Sequence, residues 1–311
     1  MKPAASPRAR IRPWVQAARP IAHPMIFVPL FLGQAFAFRT HGALSLTFFL
    51  YALLFGVVYQ VYLLYLNDYA DEAVDRTNDQ YFLSGGSRVL PEGKLEPQDL
   101  LIGARLALLC LLGLAGWLGI YLDRPWFPLG AALAVTLCWA YNSKPLRLSY
   151  RGHGEMLQGL GCGVLLPLVG FYLQYGSLQG FPWPALVPLF LLFHAGNIVT
   201  ALPDYPSDKA GDKRTLPVRR GEPHARKAVL MLLTLAYLCT VVAKLDLTPT
   251  DLLIIVMPAA LLLAGVMLSG NVKRADASNF ASCKRFMISV SASQVWFLCA
   301  WIGVLLLSGS P

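Results

Sequence analysis

Two stretches of the chain repeat one acidic spacing. NDYADEAVD sets Asn67, Asp71 and Asp75 four residues apart, and DYPSDKAGD does the same with Asp204, Asp208 and Asp212. Residues at i and i+4 share a helix face, so each stretch, continued as helix, presents a column of oxygen ligands. Like charges at that spacing destabilise a helix unless a cation neutralises them. Carboxylate oxygens suit Mg²⁺, which binds through one or two carboxylates and takes its remaining positions from water and substrate phosphates. Two facing columns would hold Mg²⁺ on a diphosphate. Either stretch alone reads as a solvated acidic helix end; the duplicated triplet favours the metal site.

Cations accompany the acids. Lys209, Lys213 and Arg214 interleave with the second triplet, and Arg88 follows the Ser84-Gly85-Gly86-Ser87 turn after the first. Backbone N–H groups of a Gly/Ser turn and a neighbouring guanidinium bind anions, and such positive charge stabilises a departing diphosphate. Asn197 precedes Asp204 by seven residues and so shares its face on a continued helix; Gln60, Gln158 and His194 are further polar residues in apolar surroundings.

The elements that must position these residues are membrane helices. Of the 311 residues 56% are hydrophobic and only 14% charged, with mean hydropathy +0.53. That composition excludes an ordinary soluble domain, a disordered chain and a disulfide scaffold. Apolar runs long enough to cross a bilayer predict spans at 21–38, 44–66, 100–122, 126–141, 156–175, 181–202, 228–243, 252–269 and 286–307. The runs have helical rather than alternating period, so the expected fold is an all-α polytopic membrane protein, nine transmembrane helices in one bundle. A basic segment, residues 1–20, precedes the single transmembrane domain of residues 21–311.

The net charge of +9 is a topology signal and not a nucleic-acid footprint. With nine spans, 23 of the 26 basic residues fall on one side, and only Arg39, Arg124 and Lys244 on the other. The N-terminus is therefore expected in the cytoplasm, with the protein in a bacterial inner membrane. The two long cytoplasmic connections, 67–99 and 203–226, carry 12 of the 17 carboxylates. The six cysteines are scattered without zinc or redox spacing and read as small hydrophobes.

With these residues set out, the sequence resembles the UbiA superfamily of intramembrane aromatic prenyltransferases over essentially its whole length. NDYADEAVD and DYPSDKAGDKRT look like that family's two aspartate-rich motifs. The resemblance implies that Asn67, Asp68, Asp71 and Asp75, with Asp204, Asp208 and Asp212, hold Mg²⁺ and an isoprenyl diphosphate. It implies that Arg88, Lys144, Lys209 and Lys213 surround the phosphates, with Asp71, Asp75, Asp208 and Lys144 in catalytic roles. The loop AYNSKPLRLSYRGHGE, with Tyr141 at the substrate, looks most like the menaquinone-pathway dihydroxynaphthoate enzymes. Ubiquinone-type members carry Tyr-x-x-x-Lys, whereas Lys144 lies three residues after Tyr141 and Pro145 takes the next place. The implied partners are a polyprenyl diphosphate, an aromatic acceptor and the bilayer, with no nucleic acid; the implied acceptor is dihydroxynaphthoate, ahead of hydroxybenzoate, homogentisate or a tetrapyrrole. A transporter for an anionic solute is the competing class, but transporter sites lie near the midplane on broken helices. Here both motifs lie at the cytoplasmic ends.

Overall fold

The computed structural model describes residues 7–78, 85–243, 245–269, 272 and 275–307, with side chains from Ile11 onward. Asp79, Ser84, Lys244, Lys273 and Arg274, which entered the charge and motif reading, lie outside the described residues. The described residues form helices and no strand. In chain order they are α1 (Pro7–Ala17), α2 (Pro24–His41), α3 (Leu46–Asp75), α4 (Pro97–Tyr121), α5 (Phe127–Asn142), α6 (Gly154–Tyr175) and α7 (Leu186–Ala201). Two short helices follow, α8 (Tyr205–Ala210) and α9 (Leu216–Arg220), and then α10 (Glu222–Val242), α11 (Pro249–Leu268) and α12 (Phe280–Leu307).

Each apolar run is matched by a helix, but the count of nine spans is not reproduced. Among the described residues seven helices are long and apolar enough to cross a membrane, and the N-terminal segment Ile11–Ala22 with Pro24–His41 is a pair bent by 50°. Pro20 and Pro24 bracket the bend, where each removes a backbone donor. α5 has only 16 residues, and at 1.5 Å per residue it reaches about 24 Å, under the roughly 30 Å of hydrocarbon.

Sequential helices pack as neighbours, and α12 closes the ring against α2. Small residues let backbones approach where the ring is tightest. A Cβ at Gly33 would overlap the Pro167 carbonyl, and one at Gly170 the Leu30 carbonyl, so α2 and the second half of α6 meet backbone to backbone. Leu109, Ile120, Leu238 and Leu261 are 57–76% exposed on the outer faces, which in a multi-pass membrane protein are covered by lipid. Cys110 and Cys299 are exposed as well, so not every cysteine is a buried hydrophobe. Arg124, one of the few basic residues opposite the basic side, is buried and donates to the Leu173 and Gln174 carbonyls at 2.7 and 3.1 Å, capping the end of α6.

Candidate active site

α3 runs unbroken from its apolar body to Asp75, so Asn67, Asp71 and Asp75 do form one helical column. The second motif does not. Pro203 and Pro206 interrupt the chain, α7 stops at Ala201, and Asp204 becomes the residue before α8 with Asp208 in its first turn. Beyond Gly211, Asp212 is exposed with φ 52° and points away from the column.

The motifs meet across a cavity of about 220 Å³ walled by α2, α3, α5, α6, α7 and α8. Of the residues selected from sequence, Asn67, Asp71, Asp75, Tyr141, Asn197, Asp204, Asp208 and Lys213 line it. Lys213 binds the two motifs together, its ammonium 2.8 Å from Asp71 Oδ2 and 4.0 Å from Asp208 Oδ1. Asp71 also accepts from Tyr150 Oη at 2.8 Å and from Asn67 Nδ2 at 3.1 Å. Asn78 Nδ2 donates to Asp204 Oδ1 at 3.0 Å, a second link between the motifs. Burial opposes charge on Lys213, but Asp71 and Asp208 outweigh it and hold its pKa well above the ordinary lysine value. Burial, with Asp204 and Asp71 adding to it, pushes Asp208 up to about 7, against the pull of Lys213 and of the Thr215 hydroxyl bonded to it at 3.1 Å.

Five selected residues stand elsewhere. The Arg88 guanidinium donates to the Asp75 and Asn78 carbonyls at 2.9 and 2.7 Å, so it caps the end of α3. Lys144 lines a separate open cleft with Pro145, Arg147, Tyr150 and Arg151. Lys209 is exposed beside the Tyr205 ring, and Asp212 is exposed beyond the helix end. Asp68 is buried behind the column, paired with Arg19 and accepting from Ser87 N at 3.3 Å.

The structure adds residues that sequence reasoning passed over. Arg19 lines the cavity while holding Asp68, whereas the sequence presents it only as part of the basic N-terminal segment. Tyr150 lies in the loop singled out for Tyr141 and Lys144, and Thr215 follows Lys213 in the quoted DKRT; the acids they bind are distant in sequence.

The donor set fits a hard divalent cation. Among the described residues no three carboxylates, imidazoles or thiols form a ready ligand cluster. Mg²⁺ needs none, because substrate and water oxygens complete its shell. The Asp75 carboxylate, on a residue only 7% exposed, accepts no hydrogen bond among the described residues. Gly86, at φ 75°, lies so close to it that an added Cβ would overlap the carboxylate. Away from the acids the walls turn apolar, with Tyr59, Leu63, Leu137, Cys162 and Leu166. Along α3, Tyr59 precedes Asp75 by 16 positions, about 24 Å of helix.

Known proteins resemble the chain in sequence and in fold. The chain is 29% identical over 261 residues to the 1,4-dihydroxy-2-naphthoate octaprenyltransferase of Mycobacterium tuberculosis, covering 83% of this chain and 86% of that protein. It is 26% identical to the Bacillus subtilis protein of the same name, over 73% of this chain and 71% of that one. In fold it resembles a UbiA homolog from Archaeoglobus fulgidus bound to DMAPP and Mg²⁺, with TM-score 0.68, 18% identity, 94% of this chain and 99% of that one. Residues 26–298 match the UbiA prenyltransferase family. The chain is a prenyltransferase and belongs to that family.

Proposed function

We propose that the protein transfers an isoprenyl chain from a polyprenyl diphosphate to an aromatic acceptor in the membrane, with Mg²⁺, and that the acceptor is a dihydroxynaphthoate. The observation that carries the reading is the two-natured cavity: acids and a buried lysine at one end, apolar walls at the other. A diphosphate with a hydrocarbon tail has that same division.

Asn67, Asp71, Asp75, Asp204 and Asp208 would hold Mg²⁺, which neutralises the diphosphate and assists its departure. Among the described residues Lys213 and Arg19 are the cations that line the same end. Lys213 adds positive charge to the leaving oxygens. Asp71 keeps the Lys213 ammonium in place, and Tyr150 keeps Asp71 in place. As the bond from the allylic carbon to oxygen breaks, the apolar walls exclude water from the delocalised cation. Tyr59 and Tyr141 offer π faces to it. The aromatic ring then forms the new carbon–carbon bond, and the ring position is restored by loss of the displaced group, the carboxyl of a dihydroxynaphthoate leaving as carbon dioxide. Asn197, hydrogen-bonded to Gln158, and Tyr141 against it line the acceptor side of the cavity.

The names of the relatives support the naphthoate acceptor, as does the departure from Tyr-x-x-x-Lys at Tyr141. We also read the membrane arrangement as nine crossings, with the bent N-terminal pair and short α5 each spanning, and the acid end cytoplasmic. The acceptor is tested by incubating membranes containing the protein with candidate aromatic acids and a polyprenyl diphosphate and weighing the products. A prenylated dihydroxynaphthoate derivative, lighter by carbon dioxide, is expected. Product from hydroxybenzoate and none from dihydroxynaphthoate would overturn the acceptor.

A further inference from the structure

The apolar arm of the cavity holds one glycine that packing does not require. On α6, a Cβ at Gly159 would press on Phe190, one at Gly163 would overlap the Leu189–Phe190 backbone, and one at Gly170 would overlap the Leu30 carbonyl. Those three glycines admit neighbouring helices. Gly161 lines the cavity, and a Cβ there would meet nothing within 4 Å. Glycine inside a helix costs about 1 kcal/mol relative to alanine, so the position bears a cost with no packing return.

Gly161 also opens a π turn, Gly161–Leu165. The turn has a cause in the sequence GCGVLLP. Pro167 has no N–H for the Gly163 carbonyl, and in a regular helix its ring would strike that carbonyl. Widening the turn relieves the clash, and the Leu166 N–H then donates five residues back to the Gly161 carbonyl. That bond brings Leu166 beneath Gly161, and both line the lumen.

The depth is informative. Glu155 accepts from Leu216 N at 2.5 Å and so marks the level of Lys213 and Thr215. Gly161 is six residues further along α6, about 9 Å deeper. A five-carbon chain has three carbon–carbon bonds in line, each about 1.5 Å, and ends above that level. A chain of four isoprene units must pass it.

We infer that Gly161 is a size-determining position of the hydrocarbon arm: its missing side chain, in the arm that Leu166 and Tyr59 also line, is what admits long polyprenyl chains. The inference rests on the cavity being the prenyl diphosphate site. It is tested with Gly161→Ala and Gly161→Leu, purified in detergent, against dimethylallyl, geranyl and geranylgeranyl diphosphates. Two readouts are used, kcat/KM and the rise in melting temperature that each donor produces. Gly161→Leu is expected to lose at least tenfold in kcat/KM for the twenty-carbon donor while staying within twofold for the five-carbon one. Its melting temperature should no longer respond to the long donor. Gly161→Ala, whose methyl enters open space, is expected to melt at or slightly above the parent's temperature and to show a smaller loss of the same kind. Equal losses for every donor length, or none, would overturn the inference. Donors that stabilise the parent protein without being transferred would overturn the proposed function instead, and the melting shifts would still decide the role of Gly161.

Discussion

Replacing Lys213 with methionine keeps most of the side-chain volume and removes the charge that joins the two motifs. With an effective dielectric of about 20, the ammonium gains about 6 kcal/mol from Asp71 at 2.8 Å and about 4 kcal/mol from Asp208 at 4.0 Å. Desolvation of the lysine cancels much of this, and removing one partner of a buried pair costs about 3–5 kcal/mol in practice. Asp71 keeps its bonds from Tyr150 and Asn67, so the expected cost lies near the lower end, about 3 kcal/mol. The assay is thermal unfolding of purified protein with a chelator and with millimolar Mg²⁺. Lys213→Met should melt well below the parent in chelator, and Mg²⁺ should raise its melting temperature more than it raises the parent's, because a divalent cation supplies the missing charge. The same 3 kcal/mol, if lost from the transition state, is roughly a hundredfold in kcat/KM for the donor. A variant as stable as the parent in chelator, or an identical Mg²⁺ shift in both, would refute the assignment of Lys213 as counter-charge to the acids.

Gly86→Ala sets a methyl against the Asp75 carboxylate at φ 75° and is expected to cost about 2 kcal/mol or more, read by melting, with a loss of transfer activity. Arg88→Ala removes two bonds to the Asp75 and Asn78 carbonyls and should lower stability by about 1–3 kcal/mol while leaving the KM for donor within twofold, measured by steady-state kinetics. Asp208, raised to about 7 from 3.8, stays protonated in the free protein below that pH, so cation binding must expel the proton. Apparent Mg²⁺ affinity should rise with pH toward about 7 as Asp208 gives up its proton, as read from Mg²⁺-dependent melting shifts. The sign for folding is opposite: a raised carboxyl pKa contributes stability at low pH, and that contribution falls as pH rises from about 4 to about 7.

Much of this was legible in the sequence. The helix bodies follow from apolar runs, and the column Asn67, Asp71, Asp75 follows from a helical period with no proline to interrupt it. The second column is not one helix, because Pro203 and Pro206 interrupt the helical period that the spacing suggests. Pro203 follows the end of α7, and Gly211 ends α8 and leaves Asp212 out in solvent. Cations near the acids in sequence were a poor guide to cations near them in space. Lys209 and Lys213 are one helical turn apart by number, yet Gly211 ends α8 between them, and only Lys213 folds back onto Asp71. Arg88 is taken by the open carbonyls of a helix end, a local need that charge counting does not reveal. Arg19 and Tyr150 reach Asp68 and Asp71 across 49 and 79 residues, and no spacing rule connects them.

The central claim is that the two motifs form one Mg²⁺-diphosphate site. It is tested most directly by Mg²⁺-dependent transfer of a labelled isoprenyl chain in membranes containing the parent, Asp71→Asn or Asp208→Asn at equal inserted amounts. Loss of transfer by about a thousandfold or more in each variant, with insertion unchanged, is the predicted result, since each removes a charge from the same site. Transfer at the parent rate in both variants would contradict it.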